Sequence, residues 1–133
     1  MSLKHFLERI VLREQPLVQP TPDVTPRDVD RVVHRDFQKE QIAEVLAALD
    51  KFDSGRAPSP RVHLAALKLA NGSVEKLKGC LELATSDYRD VLVPAEYPEF
   101  ARIGSRSLKK MSIKERNRVI ENDWRQYGEW LRK

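Results

Sequence analysis

The sequence predicts an all-α protein, a small bundle of about six helices, and three observations carry that prediction. Apolar residues recur at three- and four-residue intervals through most of the 133 residues. No segment alternates apolar and polar positions as a half-buried strand does. Helix-start and helix-stop residues stand at the ends of the periodic runs.

The first run, SLKHFLERIVLRE, places Leu3, Phe6, Leu7, Ile10 and Val11 on one face with Ser2 as N-cap, which predicts a helix over residues 1–14. Four of the eight prolines follow closely: Pro16, Pro20, Pro22 and Pro26. Residues 15–25 therefore read as an extended, proline-rich connector, since each proline removes a donor and fixes its own φ. Thr25-Pro26-Arg27-Asp28 is a helix start, with Thr as N-cap, Pro at the first helical position and an acid three residues on. Val29, Val32 and Val33 continue it. After Phe37 the next apolar position is Ile42, so a break is expected near Asp36–Gln38. A new helix, KEQIAEVLAALDKF, then turns Ile42, Val45, Leu46, Leu49 and Phe52 inward.

DSGRAPSP reads as a loop, and Ser59-Pro60 opens a helix that is apolar nearly all round: Val62, Leu64, Ala65, Ala66, Leu67, Leu69 and Ala70. Such a helix belongs in the middle of a bundle. Asn71-Gly72-Ser73 predicts a tight αα-hairpin, with Gly72 in the left-handed position and Ser73 capping the next helix. That helix, VEKLKGCLELATSDYRDVL, carries Leu77, Leu81, Ala84, Tyr88, Val91 and Leu92 on one stripe with Cys80 beside it. Pro94 and Pro98 are expected to end it, leaving an irregular basic connector over 99–111. Ser112-Ile113-Lys114-Glu115 is a capping box opening the last helix, 112–133, with Ile113, Ile120, Trp124, Tyr127 and Leu131 along one face. The whole reads as a single domain whose helical core spans 26–98.

The composition, 41% apolar and 33% charged with 5 glycines, is that of an ordinary globular chain. Its one cysteine allows no intramolecular disulfide and fits a reducing compartment. Lys4, His5, Glu8 and Arg9 interrupt the N-terminal apolar stretch, so no secretory signal is expected there. No run approaches the ~20 apolar residues that span a bilayer. A soluble, cytoplasmic protein without membrane contact is the expectation.

The net charge of +4 is unevenly spread, because residues 101–133 hold 10 Lys/Arg against 4 Asp/Glu. Arg102, Arg106, Lys109, Lys110, Lys114, Arg116 and Arg118 face only Glu115 within their stretch. Such a patch suits an acidic partner or nucleic acid, or docks on the acidic body of the same chain or of a second copy. The last is the favoured reading, because no aromatics interleave for base stacking and no helix-turn-helix or zinc pattern accompanies the cations. Positive charge at the start of the last helix opposes the macrodipole, a small misfit that an anionic surface would relieve.

SDYRDVLVPAEYPEF, Ser86–Phe100, gathers the other candidate residues. Asp87 and Asp90, three apart on one helix, are a candidate carboxylate pair, and Glu96 follows beyond the turn. Carboxylate–metal sites in bundles add a Glu-x-x-His pair from other helices, and this sequence has none. None of His5, His34 and His63 has a second His or Cys at i+3 or i+4. Glycine-rich phosphate loops, nucleophile elbows and dinucleotide fingerprints are absent from the sequence, so no cofactor or metal is expected. The leading expectation is a binding module for a protein partner or a second copy of itself. Its surface would comprise Asp87, Arg89, Asp90, Glu96 and Tyr97, with Trp124, Tyr127 and Trp130 as aromatic anchors. A nucleic-acid-associated protein using 102–118 is the alternative. An enzyme that brings Asp87, Asp90 or Glu96 together with His63 or His34 is the second.

VDRVVHRDF (Val29–Phe37), RVHLAALKLANGSVEKL (Arg61–Leu77) and SDYRDVLVPAEYP (Ser86–Pro98) together resemble a group of short, uncharacterised bacterial proteins. That group carries R-V-x-L-A-x-L-K-L-A-x-G followed by D-Y-R-D-V-L-x-x-A-E-Y-P. The resemblance covers residues 29–98 and implies a bacterial helical protein with no established activity, so no catalytic residue carries over. Pro94 departs from the pattern and implies an earlier helix end or kink.

Overall fold

The computed structural model describes residues 17–52 and 59–133. The helix expected over 1–14, with His5, and most of the DSGRAPSP loop lie outside them. Eight α-helices and one 3-10 turn make up the described residues, with no strand among them. The all-α expectation is met, with more and shorter helices than the periodicity showed.

Helix α1 (Pro26–Asp36) begins at its predicted cap: Thr25 is extended, and its N–H donates to the Asp28 carboxylate at 2.9 Å. That hydrogen bond holds the Asp28 carboxyl below its ordinary pKa. The chain leaves the helix at Phe37, turns through a 3-10 segment (Lys39–Gln41) and enters α2 (Ile42–Lys51). Helix α3 (Ser59–Ala70) is the central element: Val62, Leu64, Ala65, Ala66, Leu67 and Ala70 are all fully buried. Helices α1, α4 (Val74–Ser86) and α5 (Arg89–Glu96) pack around it. The hairpin between α3 and α4 has the predicted chemistry, with Asn71 and Gly72 at positive φ and the Ser73 hydroxyl accepting from the Lys76 N–H. A Cβ on Gly72 would lie 2.9 Å from the Asp36 carbonyl oxygen, so the hairpin is pressed against the end of α1.

Three expectations about residues 74–111 are corrected. The single helix expected over 74–92 is two, because Asp87 is extended (φ −153°, ψ 109°) and its carboxylate accepts the Arg89 N–H at 3.0 Å. Asp87 starts α5 instead of sharing a helix face with Asp90. Pro94 does not end the helix but sits inside α5. The donor it lacks would have served the carbonyl of exposed Asp90, where water can substitute. Pro98 opens a further helix instead of stopping one. Two short helices, α6 (Pro98–Ile103) and α7 (Ser105–Lys110), occupy the stretch expected to be irregular, joined at Gly104 with φ 82°.

Helix α8 (Ile113–Arg132) spans about 30 Å and rests on α5 and α6. The Ser112 hydroxyl accepts from the Glu115 N–H at its start. At its end, Arg31 of α1 donates to the Leu131 carbonyl at 2.7 Å and Arg35 to the Trp130 carbonyl at 2.8 Å. Cations at that terminus satisfy orphan carbonyls and complement the helix dipole. Among the described residues no helix is long and apolar enough to cross a membrane.

Candidate binding surface

A buried polar centre ties α3, α5, α6 and α8 together. Glu96, 2% exposed at the end of α5, accepts from Arg61 of α3 through both carboxylate oxygens, at 2.9 and 2.7 Å. Asp123 of α8, 1% exposed, accepts the N–H groups of Glu99 and Phe100 at 3.0 Å each and so caps α6 from a distance. Gln126 links the two by donating to the Asp123 carbonyl. Burial, and then the Glu96 carboxylate, push the phenols of Tyr97 and Tyr127 above their ordinary range. Burial also lowers the Lys68 ammonium, opposed by Asp123. Arg61 holds Glu96, and Asp123 holds the start of α6, so these contacts lock helix ends in place.

The proline segment runs along the flank of α8. The Leu17 N–H donates to the Asn117 side chain at 2.9 Å, and the Tyr97 hydroxyl donates to the Pro20 carbonyl at 2.5 Å. Between Pro20–Val24 and the second half of α8 lies an open cleft of about 480 Å³. Prolines 20 and 22 form one wall. Trp124, Gly128 and Leu131 form the other, and Arg125, Arg132 and Asp23 carry charge at the cleft. Trp124 is 41% exposed. Gly128 keeps the wall low, and the Arg132 guanidinium folds back to its carbonyl at 3.1 Å.

The expected surface residues separate accordingly. Asp87, Arg89 and Asp90 are at the surface, where Arg89 closes on Asp87 in a local pair that lowers the Asp87 carboxyl pKa. Glu96 and Tyr97 were expected beside them and are instead buried, one paired with Arg61 and the other bonded to Pro20. Tyr127 is likewise inside, with its hydroxyl lacking a hydrogen-bond partner among the described residues. Trp130 is half-buried, with the Arg35 guanidinium 5.2 Å from its ring centre and the Tyr127 ring 5.5 Å away. It docks α8 onto α1. Of the three expected anchors, Trp124 alone is exposed.

The carboxylates do not assemble with histidines. Glu96 engages Arg61, and His34 lies exposed beside Asp30. His63 is half-buried against Phe52, ring centres 5.8 Å apart, and burial lowers its pKa. Its Nε2 has no hydrogen-bond partner among the described residues. No group of three His, Cys, Asp or Glu residues able to hold a metal occurs among the described residues. Cys80 is half-buried, and burial raises its thiol pKa, which leaves it a poor nucleophile.

Among the described residues the basic stretch makes no ion pair with the acidic body. Arg102, Arg106, Lys109, Lys110, Lys114 and Arg118 are exposed and Arg116 half-buried, and none forms a salt bridge among the described residues. Reading the sequence missed the role of the proline run, treated as a plain link, and of Gly128, Arg125 and Arg132 opposite it. The available signal was a glycine on the same flank of the last helix as Trp124. No family model, curated protein or solved structure matches this chain.

Proposed function

We propose that the chain is a protein-interaction module, and that the cleft between Pro20–Val24 and Trp124–Arg132 receives a short segment of a partner protein. The observation that carries this reading is an exposed indole beside an open, proline-walled cleft, while Glu96, Tyr97, Tyr127 and Trp130 are committed to internal contacts. A volume of about 480 Å³ lies within the ~300–1,000 Å³ of ordinary ligand sites. Tryptophan, arginine and preformed proline surfaces are what interface anchors use. The lining favours an apolar side chain flanked by a carboxylate, since Arg125 and Arg132 outnumber Asp23.

The resemblance to the short bacterial proteins belongs to this proposal. Its two longest runs meet in the fold, since Arg61 heads one and its partner Glu96 lies in the other. On that view the shared wording encodes the core, and the cleft, whose lining lies outside residues 29–98, carries the specificity.

The test is site-specific photocrosslinking in cells with benzoylphenylalanine at position 124, compared with position 82 on exposed α4. The expected result is a discrete crosslinked protein at 124 that disappears when Gly128→Leu fills the cleft. Equal crosslinking at 124 and 82, or crosslinking indifferent to Gly128→Leu, refutes the proposal. A crosslink solely to a second copy of the chain identifies that copy as the partner.

A further inference from the structure

We propose that the outer face of α6, α7 and the first half of α8 binds the phosphodiester backbone of nucleic acid, without reading base sequence. Arg102, Arg106, Lys109, Lys110, Lys114 and Arg118 are all exposed, come from three consecutive helices, and have no salt-bridge partner among the described residues. Leu108, 3% exposed, anchors α7 inward and leaves its cations facing out. Self-repulsion among unpaired like charges costs stability, and a polyanion relieves it.

The composition between the cations selects the partner class. Ser105, Ser107 and Ser112 are exposed there and can donate hydrogen bonds to phosphate oxygens. Glu115 is the acid within the stretch, with Glu99 and Glu121 bordering it. Ile113, 37% exposed, is the large apolar residue at this face. A protein interface needs a desolvated aromatic or aliphatic centre, which this face lacks. Backbone recognition of nucleic acid needs cations and hydroxyls alone. Lys114 and Arg118, four residues apart, carry the cations onto one flank of α8. With no exposed aromatic among the six cations, base stacking contributes nothing and affinity is electrostatic.

The experiment is fluorescence anisotropy of the full chain with a labelled 30-base-pair duplex and a labelled 30-nucleotide single strand, both of mixed sequence, from 20 to 200 mM NaCl. Four to six phosphate contacts predict a log–log salt slope of about −4 to −5, hence roughly a 500-fold loss of affinity between 50 and 200 mM. Neutralising Lys109, Lys110 and Lys114 together to Gln should reduce the magnitude of the slope by about 2.7. Neutralising Lys39, Lys51 and Lys76, exposed on other elements, should leave it unchanged. All six positions are on the surface, and a thermal melt confirms that each variant folds. The proposal is overturned by absence of binding to both probes at 20 mM salt with 20 μM protein. It is also overturned if the two triple variants behave alike, or if polyglutamate or anionic phospholipid vesicles bind more tightly than either nucleic acid.

Discussion

Replacing Arg61 by Ala should cost about 3–5 kcal/mol, because it strands a buried carboxylate. Glu96 is 2% exposed, and both of its oxygens accept from one guanidinium, that of Arg61. Among the described residues no other side chain donates to that carboxylate, since Gln126 reaches only the Glu96 backbone carbonyl. An exposed ion pair would cost at most about 1 kcal/mol on deletion, so the two regimes are well separated. For a domain of this size the loss corresponds to a fall in melting temperature of roughly 10–20 °C. Arg61→Lys retains the charge without the fork and should fall between wild type and Arg61→Ala. The double variant Arg61→Met/Glu96→Leu removes both charges and should recover most of the loss, since apolar replacements of buried pairs are often neutral or stabilising. Urea denaturation followed by circular dichroism and by tryptophan emission measures all four proteins. Both tryptophans lie on α8, so coincident transitions also show that α8 unfolds with the bundle. A cost below about 1 kcal/mol for Arg61→Ala, or a double variant no more stable than the single, would refute the buried-pair argument.

Two further outcomes follow from the same structure. Burial lowers the His63 pKa, so the folded state resists a proton that the unfolded chain accepts. The His63 contribution is complete above the unfolded pKa near 6.5 and is lost as pH falls through that value toward the lower folded pKa. The urea midpoint should therefore decline from pH 7.5 to pH 5, and His63→Leu should flatten the decline; a parallel decline in both proteins contradicts the assignment. Gly72→Ala should destabilise by more than about 1 kcal/mol, because φ is 83° and the new Cβ meets the Asp36 carbonyl at 2.9 Å. An unchanged thermal melt would show that the hairpin can retreat from α1 at no cost.

Helix starts were legible in the sequence because their chemistry is local. Thr25-Pro26, Ser59-Pro60, Ser73 and Ser112 each mark a helix that begins there or one residue on. The central place of α3 was equally plain from Val62–Ala70, since a helix apolar on every side has no face to offer solvent. The division between α4 and α5 was not, because the apolar stripe keeps helical phase from Leu81 and Ala84 through Tyr88 to Val91. Periodicity reports which residues face the core and is blind to one extended residue between them. Asp87, an acid with Asp90 three residues on, was the overlooked start signal. The Arg61–Glu96 pair and the capping of α6 by Asp123 join residues 35 and 24 positions apart. No local pattern says which of 24 cations will meet a given acid.

That blindness explains why the candidate surface moved. Polar residues clustered in sequence at Ser86–Phe100 looked like a site, yet a helix end must satisfy its own orphan groups before it serves anything else. Asp87 satisfies the start of α5, and Glu96 and Tyr97 fasten its end to α3 and to the proline segment. What remains for a partner is surface that such demands leave over. Helix α8 has the most of it, because its ends are fastened by residues of other elements or by Ser112, outside the helix. Asp123 and Tyr127 point its inner face at the bundle, and its outer flank leaves Trp124, Arg125 and Arg132 exposed. The Tyr97–Pro20 bond then has a second consequence. It joins one wall of the cleft to the residue that follows Glu96, so an occupant that orders Pro20–Val24 should also protect the α5–α6 junction. Amide exchange at Tyr97 and Ala101, read with and without the crosslinked partner, would show that protection; exchange unchanged at both would separate the cleft from the core.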